Sequence, residues 1–219
     1  GLGAANAFVT YGFAFAEQKR VGDAESGFIA FQPGGTDQRR ALFVQAEIEF
    51  PFGLTIIPGV RYERAELKPD KENTSFTESV SQEALAPKLA ALFEVTENVN
   101  IFGTVAYTER LPVLDELFDG RSGNLELKPE EATSYEVGAS FSGNGVILPG
   151  DALVAKATYF RNEIENLIER ENTRSPFENV AEAEIEGFEL EAAYDADFLF
   201  AKMAYTRIRG EGRENRGSP

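Results

Sequence analysis

Val105-Ala106-Tyr107-Thr108 opens a stretch that closes on Tyr135-Glu136-Val137-Gly138, and in both flanks a large apolar or aromatic side chain alternates with a small or polar one. A period of two marks a strand with two different faces. Between the flanks run Glu109-Arg110-Leu111-Pro112, Asp115-Glu116-Leu117-Phe118 and Asn124-Leu125-Glu126-Leu127-Lys128-Pro129-Glu130, a charged segment broken by two prolines. The stretch therefore reads as two strands joined by one long loop.

The same alternation extends outward over the chain. Ala7, Val9, Tyr11, Phe13 and Phe15 share one face, as do Leu42, Val44, Ala46, Ile48 and Phe50, and then Leu54, Ile56, Pro58, Val60 and Tyr62. Further strands are predicted near 85–95, 101–107, 135–141, 153–159, 188–194 and 198–205, about nine in all, each of roughly 8–11 residues, the length of a tilted membrane strand. Their connections come in two kinds. Tight links at Pro51-Phe52-Gly53, Thr96 to Val99, Gly143 to Gly150 and Asp195-Ala196-Asp197 alternate with long polar ones at Ala16 to Arg40, Leu67 to Glu83, Thr108 to Glu131 and Asn162 to Glu182. Strict alternation puts all turns at one end of a sheet and all loops at the other, as in outer-membrane barrels and not as expected of a soluble sandwich.

Aromatic residues fit that polarity. Phe50, Phe52, Phe93, Phe141, Tyr194 and Phe198 fall near the turns, and Tyr11, Tyr62, Tyr107, Tyr135, Tyr159 and Tyr205 toward the loops, giving two belts suited to two membrane interfaces. Val44, Ala46, Ile48, Ile56, Val60, Leu89, Ala91, Val105, Val137 and Ala155 are expected to share the lipid-facing surface. Gln45, Glu47, Glu49, Arg61, Glu63, Lys88, Glu136, Lys156, Glu189 and Glu191 are expected on the opposite, wet face. Pro58 and Pro87 lie inside strands and predict a bulge or local break, and Gly187 predicts a bulge where the alternation changes parity between Ile185 and Phe188.

Composition removes other classes. The 219 residues are 26% charged, and no apolar run approaches the roughly 18 residues of a membrane helix. A net charge of -16 argues against nucleic acid, whose phosphates need Lys and Arg. With no cysteine and no histidine, thiolate chemistry and the commonest general base and metal ligand are missing. The pairs Glu47 with Glu49 and Glu189 with Glu191 have the spacing any polar strand face produces, so a glycosidase acid and base is not the reading. Asp115, Glu116 and Asp119, or Glu178, Glu182 and Glu184, lack the spacing of a calcium loop. No enzyme activity, cofactor or metal is expected.

The order of motifs resembles the barrel of the TonB-dependent outer-membrane receptors, in which a Phe-Arg-Ala-Pro box and an Asn-Pro-Asn-Leu-Lys-Pro-Glu box bracket one extracellular loop. Arg110 and Pro112 match the first box, and Asn124, Leu127, Lys128, Pro129 and Glu130 the second; Glu109, Leu111, Leu125 and Glu126 depart from it. Pro58 to Tyr62, Ala86 to Leu89, Tyr159 to Ile168 and Glu186 to Glu191 add to the likeness. The resemblance implies an all-β, antiparallel transmembrane β-barrel segment with short periplasmic turns and long extracellular loops, in the outer membrane of a Gram-negative bacterium. It also implies a plug domain that closes the pore, an inner-membrane TonB-type energy-coupling complex that acts through it, and a ferric siderophore or haem as cargo, the siderophore first.

No signal peptide begins at Gly1, and the polar end from Gly210 to Pro219 does not resemble the closing strand expected of the family, so residues 1–219 are expected to be a partial barrel domain. Arg110, Glu116, Arg121 and Asn124 are the candidate ligand-binding residues, the two guanidinium groups being suited to the carboxylates of a ferric chelate or to haem propionates. Pairing with Asp115, Glu116 or Asp119 is the competing role for them. The resemblance leads to a haem-ligating histidine between the boxes, and Val113 to Gly123 has none. A passive porin and a soluble β-rich binding or adhesion protein are the rival classes.

Overall fold

The computed structural model describes residues 5–22, 32–72 and 75–214. Among them nine strands form a single antiparallel sheet in which every strand pairs with its sequence neighbours. In order these are β1 (Asn6–Arg20), β2 (Gly35–Glu49), β3 (Leu54–Pro69), β4 (Val80–Thr96), β5 (Val99–Arg110), β6 (Glu130–Asn144), β7 (Ala152–Glu169), β8 (Glu178–Ala196) and β9 (Leu199–Glu214). A short helix, α1 (Leu114–Phe118), lies between β5 and β6. The expected meander is present. The strands run from 12 to 19 residues and so exceed the expected span, most of the excess lying at the long-loop ends. The expected loop from Ala16 to Arg40 lies partly outside the described residues.

Register settles the faces, because residues directly opposite each other in a sheet point the same way. Val44 faces Tyr11 and Val60, Leu89 faces Pro58 and Val105, Gly103 faces Val137, and Phe141 faces Ala155. All ten residues expected in the lipid-facing stripe share one surface, and the ten expected on the wet face share the other. The apolar surface is open: Leu89 is 46% exposed and Val137 53%. Among the described residues no second sheet or helix layer covers it. Toward the loop end this surface ends in tyrosines that reach charged neighbours, Tyr107 donating to Glu109 at 3.1 Å and Tyr159 to Glu186 at 2.9 Å. From Leu85 to Phe93 the band spans eight steps of about 3.3 Å along the strand, which the tilt of a barrel strand turns into roughly 20 Å of membrane depth, most of an apolar band about 25 Å tall.

The prolines interrupt pairing without shifting register. Opposite Pro58 the β2–β3 ladder skips from Gln45↔Gly59 to Ile48↔Ile56 at constant offset. The β4–β5 ladder ends at Lys88, next to Pro87, and the backbone N–H of Leu85 beyond it is taken up by the Glu109 carboxylate at 2.6 Å. Both are breaks and neither is a bulge. Gly187 is a correction: β7 and β8 pair continuously through Asn162↔Ile185, Phe160↔Gly187 and Tyr159↔Phe188, so parity does not change, and Ile185 is an apolar residue on the polar face. The bulges lie elsewhere, between Glu94 and Thr96 and between Ile164 and Ile168.

What Gly187 does is shared with two other glycines. Gly12 is paired with Phe43, Gly138 with Phe102 and Gly187 with Phe160, all on the polar face, and each ring lies over the glycine opposite. A Cβ at Gly138 would sit 2.4 Å from the Phe102 ring and 2.5 Å from the Ala157 carbonyl oxygen. The ring can rotate away, but the backbone oxygen cannot. Gly138→Ala in the whole protein is therefore expected to lower stability by about 1–3 kcal/mol, the usual cost of overpacking. Urea unfolding from lipid vesicles measures it, and an unchanged midpoint would show that the sheet yields at this point.

Candidate functional site

The only buried hydrophobic cluster among the described residues lies at the long-loop end, on the polar face. Leu111, Leu114, Leu117, Phe118 and Leu127 of the β5–β6 loop pack on Ala65 and Leu67 of β3, Ala84 of β4 and Ile168 of β7, with Phe76, Val80, Leu125 and Phe177 around them. Ala65, Leu67 and Ala84 have the parity of Arg61, Glu63 and Lys88, so the loop folds onto the wet side of the sheet. Leu117 and Phe118 are completely buried. The loop is a packed unit and not a solvated excursion, because the spacing of Leu114, Leu117 and Phe118 gives one turn of helix an apolar side.

Arg110 and Glu130 close the base of this unit as a cross-strand pair at the ends of β5 and β6. The guanidinium forks: Nη2 donates to Glu130 at 2.6 Å and to Glu116 at 3.0 Å, and Nη1 donates to Glu116 at 3.2 Å. Glu116 also accepts the Val113 backbone N–H at 3.0 Å, which fixes the first turn of α1. Hydrogen bonding to Glu130 is the main reason the Arg110 guanidinium is held charged well above its ordinary range. Burial pushes the Glu130 carboxyl up, but the Arg110 guanidinium and the Ile168 N–H outweigh it and hold the carboxyl below the usual glutamate range.

Beyond α1 the chain turns about Asp119, which is nearly fully buried. Its carboxylate accepts the Arg121 backbone N–H at 2.9 Å, and Arg121 Nε lies at 3.9 Å and Arg170 Nη1 at 3.5 Å. Gly123 is required by close approach, since a Cβ there would meet the Leu117 and Asp119 carbonyl oxygens at 2.5 and 2.7 Å. Asn124 accepts the Glu126 N–H at 2.9 Å and donates to the Phe177 carbonyl at 2.8 Å, joining the loop to the β7–β8 connection. Asn179 completes that junction. Its amide accepts the Lys128 N–H at 2.9 Å and donates to the Lys128 and Asn166 carbonyls at 3.0 and 2.7 Å.

Arg110 thus ends β5 and Glu116, Arg121 and Asn124 stand in the loop that follows; all four have partners within the protein, and Arg121, beside Asp119, is still 45% exposed. Sequence reasoning missed Asn179, whose only signal is its place at the start of β8. It also missed the second guanidinium cluster beneath the loop, where Arg39 pairs with Asp37 at 3.0 Å and Glu63 at 3.3 Å, and Arg61 pairs with Glu63 at 2.7 Å. Arg39, Arg61 and Glu63, with Arg110, Thr108 and Leu111, line a cavity of about 350 Å³ where the β4–β5 ladder has opened. No group of acidic residues arranged to hold a metal ion occurs among the described residues.

Comparison with known proteins agrees with this geometry. The chain is 30% identical to the hemophilin receptor of Acinetobacter baumannii over 62% of its own length and 13% of that protein. It is 24% identical to the heme/hemopexin utilization protein C of Haemophilus influenzae over 90% of the chain and 31% of the relative. Among solved structures, the hemophore receptor HasR of Serratia marcescens, bound to its hemophore and heme, superposes with a TM-score of 0.78 at 22% identity, over 94% of the chain and 39% of that receptor. The ferric-catecholate import receptor Fiu of E. coli superposes at 0.68 and 17% identity, over 94% and 35%. The chain thus spans about a third or less of the curated relatives it matches. The family described as TonB dependent receptor-like, beta-barrel matches residues 2–219, and the chain belongs to that family as part of an outer-membrane barrel wall.

Proposed function

We propose that this chain is part of the wall and part of the mouth of a receptor that imports an iron complex by energy-coupled transport. The observation that carries the reading is the β5–β6 loop, packed onto the wet face at the loop end with the edges of Arg110 and Arg121 still 43% and 45% exposed. Loops on a rigid barrel are where recognition residues lie, and a guanidinium recognises a carboxylate through a planar fork. Glu116 and Asn124 serve this contact by orienting Arg110 and the turn that bears Arg121. A plug domain and a TonB-type inner-membrane coupling complex supply closure and energy in the whole receptor.

A ferric siderophore remains the first cargo because this chain has no histidine or cysteine, which leaves Tyr or Met203 as its means of ligating haem iron. Haem is the second, supported by the haem-related names among the relatives. Uptake assays on the intact receptor test the site. Arg121→Ala with Arg110→Lys is expected to reduce uptake of an anionic iron complex severalfold while the receptor still assembles. Unchanged uptake would leave both guanidinium groups with a purely architectural role.

A further inference from the structure

The β6–β7 turn at the opposite end of the sheet carries three consecutive exposed aliphatic side chains, Val146, Ile147 and Leu148, with Ile147 66% exposed. Its backbone is unusual in a specific way. The N–H groups of Val146, Ile147 and Leu148 all donate to the Asp151 carboxylate, at 2.7, 2.9 and 2.7 Å, and that of Gly145 donates to the Asp151 carbonyl at 2.8 Å. Pro149 has no N–H. From Gly145 to Pro149, then, no backbone donor remains for water. Asp151 is itself buried, and it accepts the Tyr194 hydroxyl at 2.9 Å.

The turn also leans to a definite side. The Cβ position of Gly143 lies 2.9 Å from the Phe141 ring and 3.0 Å from Val146 Cγ2, so Val146 sits beside Phe141 on the apolar face. Tyr194, directly opposite Leu153 in the ladder, belongs to that face too. The aliphatic tip is thus continuous with the lipid-facing band, and it lies at the turn-side belt formed by Phe93, Phe141 and Tyr194. Lipid demands that backbone polar groups be satisfied internally, and this turn has met that demand for its donors.

We propose that the Val146–Leu148 tip is a preformed wedge that inserts into the phospholipid of the periplasmic leaflet, with Asp151 as the residue that makes its backbone compatible with lipid. This extends beyond the transport reading and stands whichever cargo the receptor carries. The test uses the intact receptor folded into phosphatidylethanolamine and phosphatidylglycerol vesicles, with any cysteine outside this chain replaced. Ile147→Cys, Leu148→Cys and, in the polar β4–β5 turn, Glu97→Cys are each labelled with an environment-sensitive fluorophore. Labels at 147 and 148 are expected to be quenched by phospholipid bearing a shallow acyl-chain nitroxide, and quenched severalfold less than the label at 97 by aqueous iodide. Iodide quenching equal to that at 97 would overturn the proposal. Shielding from iodide without quenching by the lipid nitroxide would overturn it as well, since protein would then cover the tip.

Discussion

Val137→Arg in the intact receptor is expected to cost about 2–4 kcal/mol of stability in phospholipid vesicles, whereas Glu136→Arg, one residue away, is expected to cost far less. The contrast follows from register. Val137 lies opposite Gly103 and Tyr159 near the middle of the apolar band, so a guanidinium there must enter hydrocarbon or drag the strand out of register. Glu136 lies opposite Thr104 and Phe160 on the wet face, where a charge already stands. Urea titration of vesicle-folded receptor measures both. Equal losses at the two positions would mean that the two faces are not a lipid face and a wet face.

Leu117→Ala is expected to act on the loop and leave the barrel standing. Leu117 is fully buried among Leu111, Leu114, Phe118 and the β3 residues Ala65 and Leu67, and removing such a side chain costs about 2–5 kcal/mol including the cavity left behind. The loop has its own core and its own junctions through Asn124 and Asn179, so this loss falls on loop closure first. Hydrogen exchange is expected to accelerate over 111–129 and in the β7–β8 connection near Phe177, with β6 and β7 at mid-membrane depth unchanged. Uniform acceleration through the strands would show that the loop and the sheet unfold as one unit.

The contrast between these two predictions reflects what the sequence reveals and what it hides. Alternation in Val105 to Tyr107 and Tyr135 to Val137 is a local signal of period two, and it carries the strands, their parity and the assignment of short and long connections. Contacts that depend on register were not legible in the same way. Phe160 over Gly187 requires knowing which residues of β7 and β8 face each other, and without it Gly187 reads as a bulge and Ile185 as a change of face. Asn179 holds Lys128 across 51 positions, and nothing near either residue announces it. The loop was the hardest case. Its charged residues dominate the local sequence, yet Leu111, Leu114, Leu117, Phe118 and Leu127 decide its shape by packing on Ala65 and Leu67 of β3 and Ala84 of β4. Arg110 accordingly stands first as the tie between the two boxes, and its exposed edge is what remains for a ligand.

The central claim, energy-coupled import of an iron complex, is tested most directly by uptake of radiolabelled iron in iron-starved cells that express the intact receptor with or without the inner-membrane coupling protein. Ferric siderophore and haem are supplied separately. Saturable uptake of one of them, lost when the coupling protein is absent, is the predicted result. Uptake that continues unchanged without the coupling protein, rising in proportion to external concentration, would contradict it and identify the barrel as a passive pore.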